Sequence, residues 1–323
     1  MNPCTLYVGT EDGLRTIRIT DVDTIEDLET GMKGQAIRAI AIHPDNPSIA
    51  YVGCGLRGWG LHYTNDSCKT FTSVGFEDEW VWGVIFAPDP NTIYVGTEPP
   101  MLYVSHDGCS FDALSAIETL PSRSEWTFFH EPFYAGHVHG LAIHPDRPER
   151  LFAGVEHGAF IYSYDGGNSW NEALVGYDLH RVAVAPTHPD RVFAGAGEGL
   201  FISKDAAQSW SAVEQLHGKF VHGIVFDPEN PDTVYVYVDL VSSPLYRSTD
   251  RGRTWEPIAE GLPAANPADP LCVHPDDSNV LFYAGNSHNE NGRLFMSTDA
   301  GDSWERLSFE LPKVWRLEVA VHG

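Results

Sequence analysis

The chain has 323 residues, 42% of them hydrophobic, and carries a formal charge of −25. That length fits one large domain or two ordinary ones, with enough apolar residues for a sizeable core. The charge repels nucleic-acid phosphate and anionic lipid, so neither is expected as a partner, and no apolar run is long enough for a membrane helix.

Five cysteines (Cys4, Cys54, Cys68, Cys109, Cys272) are scattered, odd in number and without a CxxC. They read as small apolar fillers, not as a disulfide framework or a zinc site. The opening "MNPCTLYVGTEDG" shows no basic region followed by an apolar stretch, so a cytoplasmic location is expected. Only five of the 20 basic residues are lysine, which suggests a surface that stays soluble at high salt. A monomer is expected.

Along the chain one pattern recurs. A short apolar run ends in a proline turn, as in "IAIHPDNP", "VIFAPDP", "LAIHPDRP", "VAVAPTHP", "IVFDPENP" and "LCVHPDD". A strand-like segment follows, such as "AYVG", "IYVG", "LFAG" or "VFAG". A loop leads to a third segment, such as "LFIS" or "LFMS". That segment runs into a motif of the type "SYDGGNSW", and a fourth begins at its Trp or Phe. Short runs rich in Val, Ile, Phe and Tyr, divided by Gly and Pro, predict strands with almost no helix.

The motif occurs six times, with aspartates Asp66, Asp107, Asp165, Asp205, Asp250 and Asp299 at spacings of 41, 58, 40, 45 and 49 residues. A period near 40–50 residues is that of a four-stranded propeller blade. The C-terminal "VAVHG" joined to the N-terminal "MNPCTLYVG" reads like "IAIHPDNPSIAYVG". The predicted fold is therefore an all-β, seven-bladed β-propeller of four-stranded antiparallel blades, in one domain spanning 1–323. Its closing blade combines 314–323 with 1–33, and pairing the two ends removes exposed sheet edges.

These six motifs resemble the Asp-box (BNR) repeat, with consensus Ser-x-Asp-x-Gly-x-Thr/Ser-Trp. That family includes sialidases, xyloglucan-type glycosidases, sortilin-like receptors and the photosystem II assembly factor. The resemblance implies the propeller fold and leaves the activity open. It argues against sialidase chemistry, because this chain has no Arg-Ile-Pro and seven blades instead of six.

The aspartates are expected to be structural. Six equivalent carboxylates cannot all be one catalyst, and each can accept N–H bonds in a hairpin turn. Glycine (Gly167, Gly252, Gly301) supplies the left-handed backbone there. Cys68 and Ala207 replace that glycine and the Asp107 copy is one residue short, so those three turns are expected to be weaker. Phe71, Phe111, Trp170, Trp210, Trp255 and Trp304 should pack between sheets.

The proline turns and Asp motifs share one face of the ring, leaving the other for variable loops. His43, His144, His188 and His274 lie beside the proline turns and are discounted. Aligning the inner strands on those turns selects one residue per blade at the channel mouth. These are Arg38, Trp82, His139, His180, His222 and Asp269, with Trp315 or Leu317 in the closing blade. Loops after the second strands add Arg57, Glu98, Glu156, His157, Glu198 and His288. An insertion over 112–137 brings aromatic residues, including Trp126 and Tyr134, as a lid or wall.

Three readings of this mouth stay open. It is a plain wet channel; or His139, His180 and His222 converge with Glu156 or His157 on a divalent transition metal; or the site is metal-free. In the last, a histidine is the base, a glutamate (Glu156 or Glu198) the acid, and Arg38 or Arg57 holds an anionic group. Trp82, Glu98, His157, Trp126, Tyr134 and His288 then line the substrate. The expectation is a small-molecule ligand with hydrolase or lyase chemistry on an anionic or carbohydrate-type substrate. The alternative is a non-catalytic scaffold like the photosystem factor, which this chain resembles less for having fewer arginines near the mouth.

Overall fold

The computed structural model describes all residues except 1, 22–23, 129–134, 240–243, 264–269, 286–290, 309 and 322–323, with the side chains of 29, 30 and 239 also left aside. Its strands form seven four-stranded antiparallel sheets arranged as the blades of a propeller. Helix is confined to three short 3-10 turns among the described residues.

Blade I begins with Val314–Val321, which pairs with Cys4–Thr10, so the two ends of the chain close the ring. Blades II to VII occupy residues 37–75, 80–113, 137–173, 179–212, 220–257 and 271–306. The first strand of each blade touches the first strand of its neighbours around the channel. Each gap between blades is filled by its own apolar cluster. Phe152, Phe160, Val192 and Phe201 pack between blades IV and V, for example. Sheets face each other closely because glycine sits where the next blade crosses. A Cβ on Gly96 would lie 2.6 Å from the Val138 carbonyl oxygen.

The insertion is largely a wedge. Asp112–Ala113 is the outer strand of blade III, and Ile117, Leu120 and Trp126 pack into the cluster between blades III and IV. The expected lid is therefore mostly core in its described part.

The Asp turns are built as the motif requires. Asp165 Oδ1 accepts from Ser169 N (2.8 Å) and Ser163 Oγ (2.8 Å), and its Oδ2 from Ser169 Oγ (2.6 Å). Ser163 Oγ in turn accepts from Gly167 N at 2.8 Å. The same pattern recurs at Asp66, Asp107, Asp205, Asp250 and Asp299. These bonds hold the carboxylates below the ordinary range, to about 2 at Asp66 and Asp250. In five of the six copies two consecutive residues are left-handed, not one: Ser67–Cys68, Gly166–Gly167, Ala206–Ala207, Arg251–Gly252 and Ala300–Gly301. Ala207 keeps the bond length of the glycine copies, with its N–H 2.8 Å from Ser203 Oγ, whereas Cys68 N lies 3.2 Å from Thr64 Oγ1. The short copy closes with Gly108 N donating to Ser105 Oγ at 2.9 Å. The six Trp and Phe residues each join an inter-blade cluster.

Candidate functional site

A register shift marks the start of six inner strands. Pairing skips one residue in each: Arg38, Trp82, His139, His180, His222 and Trp315. A bulge leaves its extra residue out of the ladder and re-aims the side chain. The aligned ring position is thus a repeated backbone device. In the closing blade it falls on Trp315, while Leu317 is buried in the core. Asp269 lies outside the described residues, as do Tyr134 and His288.

Glu156, at the end of the second strand of blade IV, is the hub of the site. Its Oε2 lies 2.6 Å from His137 Nε2, 3.4 Å from His180 Nδ1 and 3.8 Å from His139 Nδ1. His180 Nε2 meets Asp178 Oδ2 at 3.1 Å, and His137 Nδ1 meets Glu98 Oε2 at 3.4 Å. His180 stacks on His222 at 4.1 Å, and His137 on Trp82 at 4.0 Å. The His139 side chain, 10% exposed, reaches the mouth further than His137 or His180, at 1% and 2%.

Burial alone would lower the His180 pKa, but the Glu156 charge and the contacts with Asp178 and Glu156 raise it to about 10. Burial pushes the Glu156 carboxyl up, and His137 and His180 hold it well below the usual range. Arg38 sits between two indoles, its Cζ 3.7 Å from the Trp315 ring centre and 5.0 Å from that of Trp82. Burial lowers its pKa to about 9, against the opposing charge of Glu156.

The expected trio His139, His180 and His222 is not the set whose donor atoms come together. The donors of His139, Glu156 and His180 lie within 4.8 Å of one another, and a second group joins Glu156, His157 and Asp178. His222 is held face to face against His180 instead. His157 is more exposed, 3.8 Å from Asp178 and edge-on to Phe128. Three other expected residues stand apart. Trp126 is 2% exposed in the core, with its Nε1 on Ser122. Arg57 and Glu198 are exposed on the rim loops. Each of the two is a tight-turn residue whose carbonyl accepts a backbone bond, from Ala36 and Gly218 respectively.

Asp178 and Phe220 were missed as site residues, and His137 was expected only as part of the insertion's lid or wall. Each lies two positions before a ring histidine, in "HVH", "DLH" and "FVH". Residues two apart on a strand share a face, so that spacing was the available signal. On the other face, His43, His144 and His274 accept bonds from the N–H two residues on, as turn pins.

The fold and its repeated turns define the class: a seven-bladed β-propeller whose turns are similar to those of the BNR/Asp-box propellers. A family model described as Sortilin, neurotensin receptor 3 (Sortilin-Vps10) matches residues 198–320. A xyloglucanase from Paenibacillus sp is 30% identical over 114 residues, 31% of this chain and 11% of that protein. Vacuolar protein sorting/targeting protein 10 from Emericella nidulans is 30% identical over 110 residues, 33% of this chain and 8% of that protein. The matched stretches thus span about a tenth of these relatives. Among solved structures, YCF48 bound to D1 peptide aligns over 95% of this chain and 86% of its own, at 14% identity and a TM-score of 0.56. An ancestral GH74 enzyme aligns over 89% of this chain and 38% of its own, at 14% identity and a TM-score of 0.62. These structural likenesses concern the fold.

Proposed function

We propose that the channel mouth binds a small anionic molecule through Arg38 and carries out proton-transfer chemistry of the hydrolase or lyase kind on it. One observation carries this reading. Arg38 is 9% exposed, and its buried Nε has no hydrogen-bond partner among the described residues. A buried charge is costly, and two flanking indoles and the more distant charge of Glu156 offset only part of that cost. A carboxylate or phosphate ester entering the mouth supplies the missing partner, with Arg38 offering a planar fork to it. Next to it stand the imidazoles and carboxylates of blades III to V, of which His139 reaches the mouth furthest and Glu156 orients the ring.

The partial likeness to xyloglucanases favours a carbohydrate-type substrate, and an acidic sugar meets both requirements. Cleavage by a free pair of carboxylates is less well supported. Glu156 and Asp178, whose carboxylate oxygens come within 4.8 Å, both contact the His180 ring, and Glu98 and Glu156 lie on the two nitrogens of the His137 ring. That imidazole occupies the gap where a glycosidic bond would need to sit. Glu156, held ionised, is also a poor general acid.

The test is a thermal-shift screen of sugar acids and other small carboxylates against their neutral amides. Carboxylates should raise Tm in a concentration-dependent way, and Arg38→Gln should cancel the shift. Equal stabilisation by the amides, or none by any anion, overturns the reading. Hits are then incubated with the protein and followed by mass spectrometry for turnover.

A further inference from the structure

We infer that His139, Glu156 and His180 form a binding site for one divalent transition-metal ion, with Asp178 and His137 positioning the ligands. The inference rests on the mouth being the ligand site, and it assigns that site its metal.

The donor set comes first. His139 and His180 occupy equivalent bulges on the inner strands of neighbouring blades, and Glu156 ends the second strand beside them. The same backbone device, repeated around the ring, aims both imidazoles at one carboxylate. The gaps from Glu156 Oε2 to the two Nδ1 atoms are 3.4 and 3.8 Å. Ligands placed about 2.1 Å from a tetrahedral ion are separated by about 3.4 Å. All three donors fit within 4.8 Å of one another without movement of the backbone.

The outer contacts point the same way. A metal-bound imidazole characteristically gives its other N–H to a carboxylate, which fixes the tautomer and turns the lone pair inward. Asp178 Oδ2 stands 3.1 Å from His180 Nε2, leaving Nδ1 on the side of Glu156. His137 Nε2, 2.6 Å from Glu156 Oε2, fixes the carboxylate in turn, and Glu98 holds the far nitrogen of that ring. Trp82 stacked on His137 and His222 stacked on His180 lock both planes.

Two imidazole nitrogens and one carboxylate oxygen select zinc, iron(II) or a similar first-row ion over calcium or magnesium, which prefer oxygen alone. Three protein ligands leave a position open towards the mouth, where His139 is partly exposed. The anion held by Arg38 would enter from that side.

The protein is purified with an affinity handle free of histidine, stripped with chelator and titrated with Zn2+ and with Co2+. The expected result is one tight equivalent by calorimetry and elemental analysis, and a Co2+ absorption spectrum of low-symmetry, four- or five-coordinate type. His139→Ala and Glu156→Gln should each weaken Zn2+ binding more than 100-fold. Asp178→Asn, which touches no metal, should weaken it roughly 10–100-fold with Tm little changed. His106→Ala, an exposed histidine on the Asp-turn side, should change nothing. Failure to take up one equivalent, or uptake unaffected by His139→Ala and Glu156→Gln together, overturns the metal site. Asp178→Asn separates this from misfolding of the ligand variants. Repeating the carboxylate thermal shift on stripped protein keeps the two readings apart. A shift that survives stripping in a protein that takes no metal leaves the anion site standing alone, and metal uptake without any carboxylate shift does the reverse.

Discussion

The two faces of this propeller present the same positions in every blade and use them in opposite ways. On one face a Ser/Thr–Asp pair recurs six times with nearly the same bonds, from Thr64–Asp66 to Ser297–Asp299. On the other, one bulged residue in each of six blades is set at the channel mouth, and its identity runs Arg38, Trp82, His139, His180, His222, Trp315. Identical residues at equivalent positions do an identical mechanical task. Different residues on an identical backbone device make an asymmetric site. Repetition thus separates scaffold from chemistry in a fold where both lie on loops and strand ends.

The broadest way to break this contrast is acid. The Asp-turn carboxylates have pKa values below their ordinary range, to about 2 at Asp66 and Asp250, because turn N–H and hydroxyl groups bond the charged form. A depressed folded-state pKa contributes stability that is present above about pH 4 and lost as pH falls through the folded value. Stability should be flat between about pH 4 and pH 6 and fall steeply towards pH 2, read by circular dichroism in a pH titration. Asp66→Asn should make that fall shallower. A loss of stability as pH rises from about 6.5 towards 10 would report the histidine face instead, because the folded-state pKa of His180 is raised to about 10.

A narrower test is Arg38→Gln, expected to weaken carboxylate binding about 10–100-fold, the worth of hydrogen bonds to a charged group. Calorimetry with the best ligand of the screen checks it, and the Asp-turn face should be untouched. Ser163→Ala should behave in the opposite sense. Its Oγ is fully buried and accepts from Gly167 N, so its loss should cost about 2 kcal/mol in urea unfolding and leave ligand affinity unchanged. The smallest effect is expected from Ala207→Gly. Relief of a left-handed alanine is offset by the loss of a buried methyl and a looser unfolded chain, so stability should move by less than about 1 kcal/mol.

Much of the fold was legible because propellers write their period into the chain. The proline turns fix the inner strands, and counting back from them finds the ring residues without coordinates. In the closing blade no such proline exists, and only pairing decides between Trp315, which is skipped, and Leu317, which faces Val8. The site was legible in part. Of the residues named from the sequence, His139, Glu156 and His180 have donor atoms within 4.8 Å of one another, and Glu98 reaches the group through His137. Asp178 went unassigned and His137 was placed in the insertion's lid or wall, although each lies two residues before a ring histidine. Trp126 was read as a surface aromatic because an insertion looks like a loop. Its neighbours Ile117 and Leu120 pull it into the gap between blades III and IV.

Alone, the sequence determined the blade count, the ring closure and the structural role of the six aspartates, because each depends on local pattern repeated in register. Only the tertiary structure decided which side chains meet. His137 and Glu156 lie on one blade, while Glu98 and His180 come from the blades on either side, and their distances depend on blade packing and bulge geometry. It was that packing, too, that buried Arg38 between two indoles from neighbouring blades and set Glu156 against three imidazoles, arrangements that no spacing along the chain encodes.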